Sequence, residues 1–468
     1  MSDTTLTAAA RPAPIDRKAA ARAAMLHAPI LSTLLALAAP TIAVLLAQTA
    51  VNVAETYYIG YLGTTDLAGV ALVFPVYMLM VTMSNGGLGS GVASAVARAI
   101  GAGRRHDADA LVLHAVVLAL GVGAIFTLAT ILSGPALYAV LGGRGEALTA
   151  ALRYSDTIFA AAIAIWIVNL LASALRGSGN VRVPATVTLI GAIVMIPASP
   201  ALIFGFGPIP RLGITGAGLA LAIYNVGAMI VLLRYMTSGR GGLTLRRSRL
   251  EWRLFADILK VGIPTALNTV QTNLTVVLVT GAVGTFGVDA IAGYGIASRL
   301  DYVMIPILFG LSSAVLTMVG VNMGAGHVAR ARRIAWMSSA IGAGFAEIVG
   351  VTVALFPGLW THLFSTAPQV LQPAATYLHI VAPLYGLMAL GFVFSFAAQG
   401  AGHVLWPFLA VTARMIVAAG IGVIAVRAFG IGMPGLSLIV AASFALYAPL
   451  CTIAMIRKSV WKSPMQHG

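Results

Sequence analysis

Glu55 and Asp301 are carboxylates set inside long apolar runs, where such a group serves chiefly to attract a cation or to exchange a proton. An apolar cavity disfavours the charged form of a carboxyl, so Glu55 is read as a protonation site, with snorkelling to the outer interface as the alternative. Asp301 is the deeply placed acid in the first two helices of the second half of the chain. It offers either attraction for a cation or an internal polar pairing. Arg299, two residues away, points to a different helix face and does not neutralise it directly. Arg153 and Asp156, three apart, are spaced to pair. His379 occupies the place of Asp156 in the second half and offers either titration at physiological pH or a structural polar contact, the reading preferred for it and for Glu347. Arg98, Arg234 and Arg414 read as side chains that snorkel or cap. Tyr57, Tyr58, Tyr154, Trp166, Tyr294, Tyr302 and Phe309 offer aromatic faces to flat cationic compounds, or simply pack.

These residues must be held by an unusually apolar framework. The 468 residues are 59% hydrophobic and 9% charged, with a mean hydropathy of +0.96. Charge-poor runs of about 20 residues or more recur along the chain, as a bilayer requires. They fall at 30–60, 66–98, 110–133, 149–175, 184–206 and 214–236, then at 257–285, 288–322, 335–358, 374–398, 405–428 and 434–456. The expectation is an all-α membrane protein of twelve spanning helices. It divides into a tail (1–28), an N-lobe (29–236), an inter-lobe loop (237–256), a C-lobe (257–457) and a second tail (458–468).

Arg104, Arg105, Arg176, Arg182, the 240–253 stretch, Arg330, Arg332, Arg333, Arg457, Lys458 and Lys462 fall on one side of this topology, together with Arg11, Arg17, Lys18 and Arg22. The other side has Arg144, Arg211 and Arg427. By the positive-inside bias both termini face the cytoplasm, in a multi-pass plasma (inner) membrane protein. The same bias accounts for the net charge of +15, so no nucleic-acid partner is expected. The single Cys451 excludes an intramolecular disulfide. No Gly-Lys dipeptide occurs, which excludes a Walker A phosphate cradle. Gly430-Ile-Gly-Met-Pro-Gly435 matches a dinucleotide-binding spacing by letter, but no strand precedes it. No cluster has metal-ligand or nucleophile–base spacing, so neither an enzyme nor a cofactor is expected.

The two halves repeat one plan. Pro40 recurs as Pro264, an offset of 224. The Gly60–Tyr61–Leu62–Gly63 turn recurs as Gly284–Thr285–Phe286–Gly287. Gly177–Ser178–Gly179–Asn180–Val181 with Pro184 recurs as Gly400–Ala401–Gly402–His403–Val404 with Pro407, an offset of 223. Six helices return the chain to its starting side, so the halves are parallel, and paired halves in a membrane enclose a route at their interface. Glu55 has Val279 as its repeat partner, which gives the lobes different duties. Gly86–Gly87–Leu88–Gly89 and Gly310 mark a bend or a close helix approach.

Those residues carry a resemblance over nearly the whole chain. Val51-Asn-Val-Ala-Glu55-Thr-Tyr-Tyr-Ile-Gly60-Tyr-Leu-Gly63, Leu175-Arg-Gly-Ser-Gly-Asn-Val-Arg-Val-Pro184, Ala292-Gly-Tyr-Gly-Ile-Ala-Ser-Arg-Leu-Asp301 and Val321-Asn-Met-Gly-Ala-Gly326 resemble, in order and spacing, the MATE family of multidrug and toxic compound extrusion transporters. The resemblance implies a two-lobed antiporter exporting amphipathic, often cationic, organic compounds in exchange for H⁺ or Na⁺. It makes Glu55 the ion-coupling residue, with Asn52, Thr56 and Ser199 as its helpers. Asp301, Tyr58, Tyr302 and Phe309 become the expected substrate contacts. The family's fifth helix often carries Asn and Asp where Met195 and Ser199 stand here, and no acid lies between Asp257 and Asp289 in the seventh. An oxygen shell for Na⁺ is thereby incomplete, which favours H⁺. Two other functions stay open: a flippase or exporter of lipid-linked or metabolite cargo, and a membrane receptor or scaffold without transport. A monomer is expected.

Overall fold

The computed structural model describes residues 17–208, 210–239 and 242–461, and among them the fold is all-helical. Residues 1–16 and 462–468 of the expected tails, and Arg240 of the expected loop, lie outside the described residues. Eleven helices are long and apolar enough to cross a membrane, twelve when one bent pair is taken as a single span. The N-lobe spans are α1 (Ile30–Gly60), α2 (Thr64–Gly101), α3 (Arg105–Val140), α4 (Gly145–Ala160 and Ala162–Gly177, bent by 49°), α5 (Arg182–Phe204) and α6 (Ile214–Thr237). The C-lobe spans are α7 (Trp252–Gly284), α8 (Val288–Gly324), α9 (Val328–Leu355), α10 (Pro368–Ala401), α11 (Leu405–Phe429) and α12 (Met433–Ile456). A short helix, Arg17–His27, precedes α1.

Backbone geometry explains why the glycines repeat while the apolar letters drift. Gly63 and Gly287 open α2 and α8 at φ of 126° and 106°. Gly179 and Gly402 close the turns after α4 and α10 at 83° and 81°. No residue other than glycine has a positive φ among those described, because a Cβ there meets its own backbone. The apolar positions between them need only be hydrophobic, so they are free to change. The glycine run in α2 produces a π turn over Met83–Leu88, and α11 has another over Ile416–Ile421. A π turn widens the helix and re-aims the side chains beyond it. Gly310 does not break α8; a side chain there would strike Ile42 of α1.

The lobes close on each other at the end that carries the turns 101–105, 177–182, 324–328 and 401–405. Small residues let backbones meet there: a Cβ on Gly101 would strike the Val321 carbonyl, one on Gly324 the Arg98 carbonyl, and one on Gly91 the Ile258 carbonyl. Arg98, expected to snorkel, is instead buried at 3% exposure. It reaches Asp257 of α7 at 3.0 Å, and Asp257 also holds Lys260 at 2.8 Å. Ser94 donates to the Gln399 carbonyl and accepts from Arg98. Thr317 of α8 donates to the Arg176 carbonyl at 3.1 Å.

The segment between the lobes lies along the start of α3. Arg253 grips Asp107 with two bonds of 3.0 Å, Asp109 accepts from the Thr244 amide at 2.8 Å, and Arg105 donates to the Gly242 carbonyl at 2.9 Å. His114 is fully buried. Its Nε2 accepts from the Glu251 amide at 2.9 Å, so its proton sits on Nδ1, which donates to the Ala110 carbonyl at 2.8 Å.

Candidate functional site

Glu55 lies on α1, five residues before the helix ends at Gly60. It is buried at 6% exposure inside the N-lobe, and its Oε1 has no hydrogen-bond partner among the described residues. The rings of Tyr77 on α2 and Tyr154 on α4 stand within electrostatic reach of it. Ser199, five residues before α5 ends at Phe204, is also buried, with an unpartnered Oγ. The α1 and α5 helices pack along each other, so the two orphaned groups stand at similar depth in one lobe. Asn52, one turn below Glu55, is half-buried. Thr56 is exposed, and its hydroxyl donates to the Asn52 carbonyl at 2.8 Å. Met195 is buried and brings no oxygen.

Below this group the N-lobe holds a cavity of about 80 Å³. Thr41 and Gln48 of α1, Tyr77 and Asn85 of α2, Asn169 and Arg176 of α4, Thr188 of α5, and Tyr224 and Asn225 of α6 supply its polar lining. Phe309 of α8 reaches it from the other lobe. Tyr77 therefore faces both the cavity and Glu55. Of the expected substrate contacts, Phe309 is the one that lines this cavity; it also packs edge-on to Phe396 at 5.5 Å. Tyr58 packs, half-buried, against the N-lobe core. Tyr302 lies in α8, but its side chain is outside the described residues.

Asp301 belongs to a separate polar group inside the C-lobe. Arg414 of α11 and Tyr385 of α10 lie within electrostatic reach of it. Arg414 in turn stacks over Phe444 at 4.9 Å and Tyr447 at 6.0 Å. That packing replaces the snorkelling expected of Arg414 from its position in the sequence. Glu347 accepts from the Gly386 amide at 2.9 Å, and His379 bonds the Ala354 carbonyl at 2.6 Å. Both make the structural contacts expected of them. Arg153 and Asp156 form no ion pair among the described residues.

Sequence reasoning missed the Arg98–Asp257 pair and the role of Arg176 in the cavity. The signal for the first was an arginine and an aspartate each one turn inside a helix end, on segments that a two-lobed closure brings together. The signal for the second was an arginine next to a glycine turn, which reads equally as a topology charge.

The comparisons agree with this architecture. The MatE family model matches residues 40–201 and again 264–424, one copy in each lobe. A FAD transporter of Shewanella oneidensis is 28% identical over 356 residues, 74% of this chain and 77% of the relative. A probable multidrug resistance protein NorM of Thermotoga maritima is 29% identical over 395 residues, 82% of this chain and 83% of the relative. A crystal structure of MATE in the bent conformation superposes with a TM-score of 0.87 at 23% identity, over 94% of this chain and 97% of that one. With one plan matched twice along the chain and its fold shared, the protein belongs to the MatE family of multidrug efflux transporters.

Proposed function

We propose that this chain is a proton-coupled antiporter that exports amphipathic organic compounds, and that Glu55 is its coupling residue. The observation that carries the reading is a buried carboxylate with an unpartnered oxygen, one tyrosine away from a polar cavity. An ion drives a conformational cycle only by its different affinity for the two end states. A proton needs a single titratable oxygen. A sodium ion needs several oxygens at once; Met195 brings none, and Thr56 is exposed with its hydroxyl turned to the Asn52 carbonyl; hence H⁺ over Na⁺.

The basic end is taken as cytoplasmic by the positive-inside bias, which puts both termini inside. The lobes at 29–236 and 257–457 then rock as two bodies, and the closure through Arg98, Asp257 and Gln399 corresponds to the outward-open form. The protein works as a monomer. Asp301 is the group that would favour cationic cargo. A second reading, export of metabolite cargo, is favoured by Arg176 as the charge that lines the N-lobe cavity and by the relative named as a FAD transporter.

In proteoliposomes, an imposed pH gradient should drive dye transport and a protonophore should abolish it. Glu55→Gln should lose gradient-driven transport while retaining some binding. Wild-type activity that follows a sodium gradient and ignores the proton gradient would overturn the ion assignment.

A further inference from the structure

We infer that the N-lobe cavity is a subsite for the anionic head of an amphipathic cargo, with Arg176 as its counter-charge; the inference rests on the reading of the chain as an exporter. Size sets the first constraint. Drug-sized ligands fill pockets of roughly 300–1,000 Å³. A cavity of about 80 Å³ therefore takes a carboxylate or a phosphate and leaves the body of the cargo outside it; Phe309 is the C-lobe side chain that completes the lining.

Charge sets the second. Arg176 is the one charged residue of the lining, and it joins no ion pair among the described residues. Arginine stays protonated inside proteins, and a buried charge without a counter-charge is costly. Its Nη2 donates to Asn85 Oδ1 and, at 2.7 Å, to Ser173 Oγ. Both are neutral acceptors, and its remaining N–H groups make no other hydrogen bond among the described residues. A guanidinium only donates, so Asn85 must turn its oxygen to Arg176, which leaves its NH₂ as a further donor. Asn169 is pinned beside it by a 2.7 Å bond to Ser84 Oγ. The site thus has a fixed cation, an amide donor, and the rings of Tyr77 and Tyr224 in its wall. An oxyanion satisfies those donors and the charge together.

The test compares two ligands that share a ring system and differ by one phosphate. Wild-type protein in phosphatidylcholine nanodiscs is titrated with riboflavin and with riboflavin 5′-phosphate, read by flavin fluorescence. The phosphate should bind about ten- to hundredfold tighter, the range of hydrogen bonds to a charged group. Millimolar inorganic phosphate should erode that preference. Arg176→Gln should erase it while riboflavin binding persists, and Arg176→Lys should keep part of it.

Equal affinity of the wild type for both flavins, or no binding of the phosphate, overturns the inference. So does a preference that survives Arg176→Gln. Equal loss of both flavins in the Gln and Lys variants marks Arg176 as structural and also overturns it. Proton-driven transport of a dye is scored separately on the same protein, with Glu55→Gln as its control. Failure of the exporter reading is thereby distinguished from failure of the subsite.

Discussion

Removing the charge of Asp257 should open the basic end of the protein. Arg98 has 4% of its side chain exposed and Asp257 28%, at 3.0 Å. At an effective dielectric of about 20, two unit charges at that distance attract by roughly 5–6 kcal/mol before desolvation is subtracted. Desolvation offsets much of this, and the neutral Asn of Asp257→Asn still accepts a hydrogen bond. The expected net loss is about 2 kcal/mol, below the roughly 3–5 kcal/mol of a fully buried pair. In the rocking cycle proposed above the contact belongs to the closed form alone, so the loss falls on the equilibrium between forms and shifts it about thirtyfold.

Spin labels at Arg104 and Ala329, both exposed at the basic end, in a Cys451→Ala background, read the separation of the lobes by pulsed electron resonance. Asp257→Asn should move population to the longer distance. Lys260→Ala is the control: Lys260 is 49% exposed, and such pairs contribute about 0–1 kcal/mol. If Asp257→Asn gives the wild-type distance distribution, or matches Lys260→Ala, the ion pair does not hold the closed form.

Closure at the same end should also depend on pH. Burial, and then the charges of Lys260 and Arg98, hold His403 below its ordinary value. The open form therefore takes a proton first as pH falls through about 6.5, so acidification should favour opening, and His403→Gln should flatten that response in the same distance measurement. Gly101→Ala places a methyl against the Val321 carbonyl; it should disfavour the closed form without lowering expression, seen as increased labelling of cysteines placed at the basic end. Gly63→Ala should cost about 1–3 kcal/mol of stability, since φ of 126° is a region other residues avoid; thermal denaturation in detergent measures it. Asp301→Asn should destabilise the C-lobe by leaving the Arg414 charge less compensated. Adding Arg414→Met should recover part of the loss, and a double-mutant cycle with no coupling would separate the two residues.

Span number and the duplication were legible in the sequence because each follows from a local rule. Hydrocarbon thickness sets helix length, and positive φ demands glycine at Gly63, Gly287, Gly179 and Gly402. Glu55 was legible for a related reason: a carboxylate in an apolar run is conspicuous wherever the helix packs. What the sequence did not decide was which charges meet. Arg98 and Asp257 lie 159 positions apart and join only because glycine-lined helices from both lobes close on the same end. Arg176 and Arg104 look alike in the sequence, yet one lines a cavity and the other is exposed. What separates them is side-chain packing between distant segments, which no local rule encodes.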